Sequence, residues 1–440
     1  MRPTPIALAV TFGLLAQQAH AAGFIEDSKA TLNLRNFYYD SNVRNADKPS
    51  TQEWGQGAVV NLTSGYTQGT VGFGVDAIGL VGIRLDGGGN GGADDSRKPG
   101  ALFPLESNGK AASHYGKAGI TAKVRYAKTE ARLGTLQPKL PVVSFNDGRL
   151  LPQLFEGAQI TSNDIDNLTL IAGKLEQTKT RSSTDSVDLR IARPKEFDIF
   201  NAESDAFYYA GADYKGFKDL TLQYYFGNLE DFYKQHFVGL IHSTKWGEGT
   251  LKTDLRYFDS SSDGKNSRAA GRAQGYVSNG YWPLGDADQN EVDNQTWSAL
   301  FTYSLNGHSL GLGYQEVGGN SAFPFLNQGD GSTAYLITDR QIGKFLSAGE
   351  KTTLIEYSYD FASVGVPGLK VSSAYLKGTN VDRAGSDGKE WERDFRVDYT
   401  VQSGTFKGVG LTWRNASIRG NVTDDADENR LIVSYSLPLF

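Results

Sequence analysis

Apolar and polar residues alternate with a period of two along most of the chain. Between Asp394 and Arg414, Phe395, Val397, Tyr399 and Val401 alternate with Asp394, Arg396, Asp398 and Thr400. The pattern then resumes with Val409, Leu411 and Trp413 set against Gly410, Thr412 and Arg414. This period places unlike residues on the two faces of a β-strand. Leu62, Ser64 and Tyr66 lead through Gln68-Gly69 to Val71, Phe73 and Val75. Trp297, Ala299, Phe301, Tyr303 and Leu305 lead through Asn306-Gly307 to Leu310, Leu312 and Tyr314. Asn-Gly between alternating runs predicts a hairpin, because both central residues of a type I′ turn need positive φ. Further predicted pairs are 117–127 with 130–137, 205–214 with 219–229, 235–243 with 250–259 and 351–362 with 368–378. With single strands near 30–39, 156–162, 167–177 and 429–439, the pattern predicts about eighteen strands of roughly ten residues, an even number suited to a closed antiparallel barrel.

The connections alternate as well. Short turns are predicted near 67–69, 128–129, 163–166, 215–218, 244–249, 306–307, 363–367 and 403–407. Longer loops are predicted near 40–55, 82–116, 138–155, 178–204, 260–293, 318–350, 379–391 and 419–428, with a short connection at 230–234. A soluble sandwich has no reason to gather its tight turns at one end. A transmembrane barrel does, with short periplasmic turns, long extracellular loops and both chain ends on the periplasmic side. In that architecture the apolar face meets lipid, and Tyr66, Trp297, Tyr399 and Trp413 are expected as interfacial anchors. The fold class read here is therefore all-β, a transmembrane antiparallel barrel with some loops folded inward.

The N-terminus sets the compartment. Residues 1–21 combine Arg2, an apolar run from Ile6 to Ala16 and Ala19-His20-Ala21, the layout of a signal peptide cleaved after about Ala21. Residues 22–440 are then one barrel domain, located in the outer membrane. The chain has 52 glycines, 22 tyrosines, 23 phenylalanines and no cysteine, so thiol catalysis, disulfides and Cys-ligated metals are excluded. Five histidines, among them His236 and His242, suit neither a chelate nor a triad; Gly307-His308-Ser309-Leu310-Gly311 falls in the predicted Asn306-Gly307 hairpin and not in a strand-to-helix elbow, and no HExxH helix appears. An outer-membrane barrel enzyme is thus a remote alternative, and no cofactor is implied. The run Asp86 to Gly92, followed by Asp94 and Asp95, lacks the Lys-Ser/Thr of a phosphate loop and reads as an external loop.

The polar strand faces carry the candidate chemistry. Centring the last hairpin on Thr405 sets Arg396 opposite Arg414 on the inward face. A turn at Lys128-Thr129 sets Arg125 opposite Arg132, with Lys123 on the same face. Arg35, Arg256 and Lys370 share inward parity. Like charges side by side cost a sheet stability, and a wall of guanidinium groups offers successive bidentate sites for carboxylates. Neutralisation by Glu130, Glu356, Asp394 and Asp398 is the structural alternative. The 137–155 loop, with three prolines and many apolar residues, is predicted to fold into the barrel. The 318–350 loop, carrying Asp330 and Asp339, is a second constriction candidate.

Several stretches make a family resemblance specific: "RNFYYD", "EWGQGAVVNLTSGYTQGTVGFGVDAIGL", "KTEARLGTLQPKLPV", "GRLLPQLFEGAQITS", "YYFGNLEDFYKQ" and "ENRLIVSYSLPLF". They resemble the OprD-type porins, the Occ carboxylate channels of Gram-negative outer membranes. The resemblance implies an eighteen-stranded, substrate-specific channel, monomeric or loosely trimeric, lying among outer-membrane lipid and lipopolysaccharide, with no nucleic-acid partner. It also implies a lumenal basic ladder, carried here by Arg35, Arg125, Arg132, Arg393, Arg396, Arg414 and Arg419, facing an acidic group, Asp330. Arg393 carries outward parity, which places it beyond the membrane band or past a bulge. Small carboxylate solutes are the implied cargo. The motifs "GRLLPQLFEGAQITS" and "TLQPKLPV" lean toward amino acids and small peptides, with aromatic or cyclic acids as the alternative.

Overall fold

The computed structural model describes residues 23–44, 49–89, 97–192, 202–326 and 333–440. Its strands follow the alternating runs. The first half of the barrel comprises β1 (Lys29–Val43), β2 (Thr51–Thr63), β3 (Val71–Asp86), β4 (His114–Tyr126), β5 (Thr129–Leu136), β6 (Leu154–Ile165), β7 (Leu168–Lys179), β8 (Phe207–Phe217) and β9 (Leu220–Leu229). The second half comprises β10 (Tyr233–Trp246), β11 (Gly249–Ser262), β12 (Asp293–Leu305), β13 (His308–Gly318), β14 (Lys351–Asp360), β15 (Leu369–Val381), β16 (Gly388–Thr400), β17 (Gly410–Gly420) and β18 (Ala426–Pro438). Each strand pairs antiparallel with its neighbour, and β1 closes the sheet on β18 from Thr31↔Pro438 to Val43↔Ala426. The eighteen strands therefore form a closed antiparallel barrel. Closure leaves no sheet edge unpaired, which hydrocarbon requires. No helix among the described residues is long and apolar enough to cross a membrane.

The two faces differ as the alternation predicts. Outward side chains such as Ile120 (68% exposed), Leu133 (61%), Val238 and Leu312 stand clear of the protein. Such an apolar girdle is tolerable only against lipid. Trp297, Tyr399 and Trp413 lie on this face, in register with Glu316, Leu369 and Leu431. Tyr66 does not. Strand β2 ends at Thr63, and the 64–70 turn curls inward, bringing the Tyr66 ring under Arg125, whose guanidinium lies 4.2 Å from its centroid. Burial and the neighbouring Glu130, which accepts its hydrogen bond, push the Tyr66 hydroxyl above its ordinary pKa and keep it neutral.

Turn chemistry behaves as expected at Asn306-Gly307, with φ of 49° and 84°. The β4–β5 hairpin turns one position earlier than its sequence suggests, at Ala127-Lys128, with φ of 52° at Ala127. This shift pairs Arg125 with Glu130 and Lys123 with Arg132, in place of the predicted Arg125–Arg132 pair.

Apolar packing inside the barrel comes chiefly from the inward-folded loops. Val142, Val143, Phe323, Phe325 and Leu336 join wall residues Tyr225, Phe237 and Phe258 in one buried cluster. Leu102, Phe103, Leu150 and Leu151 form another against Phe37 and Tyr39. Both loops expected to enter the barrel thus do so.

Candidate functional site: the lumen and its constriction

Strand register assembles the basic wall. Arg396 on β16 lies opposite Arg414 on β17, Arg414 opposite Arg430 on β18, and Arg430 opposite Tyr39 on β1. Three guanidinium groups thus stand in a row across adjacent strands, continued by Arg149 of the 137–153 loop, which lies 4.4 Å from the Tyr39 ring centroid. Arg396 is held bidentately by Asp398, at 2.6 and 2.7 Å. Arg430 donates to Glu428 at 2.5 Å, and Glu428 also accepts from the Tyr39 hydroxyl at 2.6 Å. The Arg414 side chain, between them, makes no hydrogen bond or ion pair among the described residues. It opens onto a chamber of about 630 Å³ that is also lined by Arg340, Glu356, Lys370, Asp394 and Arg396.

The constriction is built where the two loops meet this wall. Asp147 of the 137–153 loop grips Arg35 of β1 through both oxygens, at 2.7 and 3.0 Å. In the 319–350 loop, Arg340 pairs with Glu356 at 2.8 Å and Lys344 with Asp339 at 2.6 Å. Glu392 on β16 accepts from the backbone N–H groups of Ile342 and Gly343. Arg430 reaches both loops, donating to the carbonyls of Gln341 at 2.9 Å and Gly148 at 3.4 Å. Tyr335, in the same loop, lies under Arg256, 3.9 Å from ring centroid to guanidinium carbon. Burial raises the Tyr335 hydroxyl above its usual pKa against the opposing pull of Arg256, so the ring stays neutral.

Of the expected ladder, Arg35, Arg125, Arg132, Arg396 and Arg414 point inward. Arg132 is drawn to Glu130, with Asp76 at 3.9 Å, while Arg125 rests on Tyr66. Arg393 and Arg419 leave the lumen wall. Arg393 alternates with the inward Glu392 and Asp394 and shares the outward face with Trp391 and Phe395. Arg419 registers with Trp391 on the same outward face and pairs with Asp427 at 2.7 Å. The β16–β17 register is unbroken through both residues, so no bulge turns them inward. Asp330 and residues 1–21 fall outside the described residues, as do Asp94 and Asp95. Among the described residues, the carboxylates that face the inward arginines include Asp147, Glu356, Asp398 and Glu428, with Glu130 and Asp76 at Arg132 and Asp254 at Arg256. Arg430 was legible from its parity with Ser434, whereas Arg149 and Arg340 sit in loops without a period.

His236 lies on the outward face against Tyr224, at 3.0 Å, and no group of three or more His, Asp or Glu able to hold a metal occurs among the described residues.

Comparison with known proteins supplies the lineage. The sequence profile of the family described as outer membrane porin, OprD family, matches residues 22–439. The porin-like protein GalP of Pseudomonas putida is 35% identical, with 98% of each chain covered. Porin D of Pseudomonas aeruginosa is 31% identical over 100% of this chain and 99% of that protein. Among solved structures, OccK8 (OprE) of Pseudomonas aeruginosa superposes with a TM-score of 0.87 at 56% identity, covering 95% of this chain and all of that one. OpdK of the same species, solved with vanillate, gives a TM-score of 0.82 at 36% identity, over 94% of this chain and all of that one. The closed barrel, its inward loops and its charged lumen therefore belong to a channel of the outer membrane, and the chain is a member of the OprD family of outer-membrane porins.

Proposed function

We propose that this porin passes small carboxylate-bearing solutes, amino acids and small peptides foremost, by passive diffusion along its lumenal arginine row. The observation that carries this reading is Arg414. It is a guanidinium flanked in register by two others, facing the chamber without a protein carboxylate of its own. Such a group offers two parallel N–H donors to a passing carboxylate. Asp394, Asp398 and Glu356 line the same chamber, so a solute bearing both an ammonium and a carboxylate finds a partner for each. A second reading, aromatic carboxylates, is favoured by OpdK, which was crystallised with vanillate. Residues 1–21 are read as an export signal, which N-terminal sequencing of the membrane-inserted protein checks by a start at about residue 22.

Single-channel recording in planar bilayers tests the channel reading. The expected record is an open-channel current interrupted when arginine, glutamate or a dipeptide is added, with shorter or rarer interruptions from benzoate and vanillate. The reverse order supports the aromatic reading. Arg396→Ala combined with Arg414→Ala is expected to shorten carboxylate-induced interruptions about tenfold or more, the loss of one to two charge-assisted hydrogen bonds. Unchanged interruptions in the double variant would assign the row a structural role only.

A further inference from the structure

The arginines that leave the lumen belong to a second constellation on the outside of the barrel. Trp391 on β16 has Lys377 of β15 directly opposite on one side and Arg419 of β17 on the other. Lys389 and Arg393 flank it two residues away along β16, with the same parity. Four cations therefore surround one tryptophan on three adjacent strands, all on the outward face and near the extracellular ends. Arg419 is neutralised by Asp427. Lys377, Lys389 and Arg393 are exposed and make no ion pair among the described residues, because the acids of β16, Glu390 and Glu392, point inward. Toward the periplasm the same face turns aromatic and then aliphatic, through Tyr375, Phe395, Val397 and Trp413. The cations thus sit at the upper edge of the apolar girdle. Tyr375 stacks on Trp391 with centroids 5.9 Å apart, fixing the centre of the cross.

An outward, unneutralised cation cannot lie in hydrocarbon, and long Lys and Arg side chains at this level reach up to the headgroup layer. The occupant must supply negative charge at that depth and apolar chains below it. We propose that this patch binds the phosphate groups of an outer-leaflet glycolipid, the lipid A portion of lipopolysaccharide, with its acyl chains running down past Tyr375 and Phe395. Each basic group near an anionic headgroup contributes on the order of a fivefold gain in binding.

The test uses the full mature porin, stripped of lipid in detergent. Its binding of bis-phosphorylated lipid A and of the dephosphorylated lipid is measured by native mass spectrometry and by titration. A triple variant, Lys377→Gln, Lys389→Gln and Arg393→Gln, is compared with a control, Lys215→Gln, Lys218→Gln and Lys245→Gln, which removes the same charge at the periplasmic turns. The triple variant is expected to lose on the order of 100-fold in affinity for the phosphorylated lipid. The control should bind like the natural chain, and the dephosphorylated lipid should bind the natural chain as weakly as the phosphorylated lipid binds the triple variant. Lys377→Arg with Lys389→Arg should keep full binding, and heat-modifiable gel mobility checks that every variant is folded. Equal binding by the triple variant and the natural chain overturns the proposal. So does a change of oligomeric state in lipid-free micelles with lipid binding unaltered, which would make the face a contact between copies of this chain.

Discussion

Arg430 sits where three parts of the channel meet. It is 5% exposed, ion-paired to Glu428, which is 4% exposed, and donates to a carbonyl of each inward loop. Removing one member of a buried pair strands the charge of the other, which costs more than the pair itself contributes. Arg430→Gln leaves the Glu428 carboxylate with the Tyr39 hydroxyl as its hydrogen-bond donor and no ion pair among the described residues, so a stability loss of about 3 kcal/mol is expected in urea unfolding from lipid vesicles. The same change frees two loop carbonyls and should raise single-channel conductance. Retained stability together with retained conductance would show that the loops are held by their apolar contacts alone. At this scale, parity was the reliable guide. It placed Arg396 and Arg414 in one cross-strand pair, and it already marked Arg393 as outward. Matching Arg393 and Arg419 to the ladder by resemblance ran against that parity, and the strand geometry prevailed.

The inward loops depend on what the wall omits. Gly57 on β2 faces the lumen at a point where a Cβ would come within 3.0 Å of the Leu150 carbonyl oxygen. On β9, a Cβ at Gly227 would lie 2.9 Å from the Val142 Cβ. These two glycines let one loop lie flat against opposite stretches of wall, and neither need is visible as a strand signal. Gly57→Val puts a branched side chain into this seat, where the backbone of Leu150 cannot yield without moving. The 137–153 loop should then shift toward the channel axis, seen as a fall in conductance with the barrel still folded by heat-modifiable mobility. An unchanged conductance would show that the loop yields elsewhere. The strands themselves were legible because a two-residue period survives any turn chemistry. Register was less so: the tight Ala127-Lys128 turn moved the β4–β5 pairing and gave Arg125 a glutamate in place of an arginine. The inward curl of Tyr66 was also hidden, because a strand-end aromatic and a turn aromatic share the same composition signal.

The whole molecule carries a formal charge of −6, yet a solute in the chamber meets Arg340, Lys370, Arg396 and Arg414 at close range. Which charge it feels depends on screening. At about 0.01 M salt the Debye length is about 30 Å, and charge far from the pore still contributes to the potential inside it; at about 1 M it shrinks to about 3 Å. Groups lining a low-dielectric passage focus their field along it, so the arginine row should outweigh the distant acids of the loops. Reversal potentials in potassium chloride gradients measure that balance. The double variant Arg396→Ala, Arg414→Ala should shift the reversal potential toward cation preference at low salt, and the shift should shrink as salt rises toward about 1 M. Replacing acids on the external loops instead, for example Asp286→Asn with Asp288→Asn, should produce a smaller shift that vanishes at lower salt, because those charges act over a longer, screened path. If both substitutions moved the reversal potential equally at every salt concentration, ion preference would be a property of total charge and not of the row that strand register assembles.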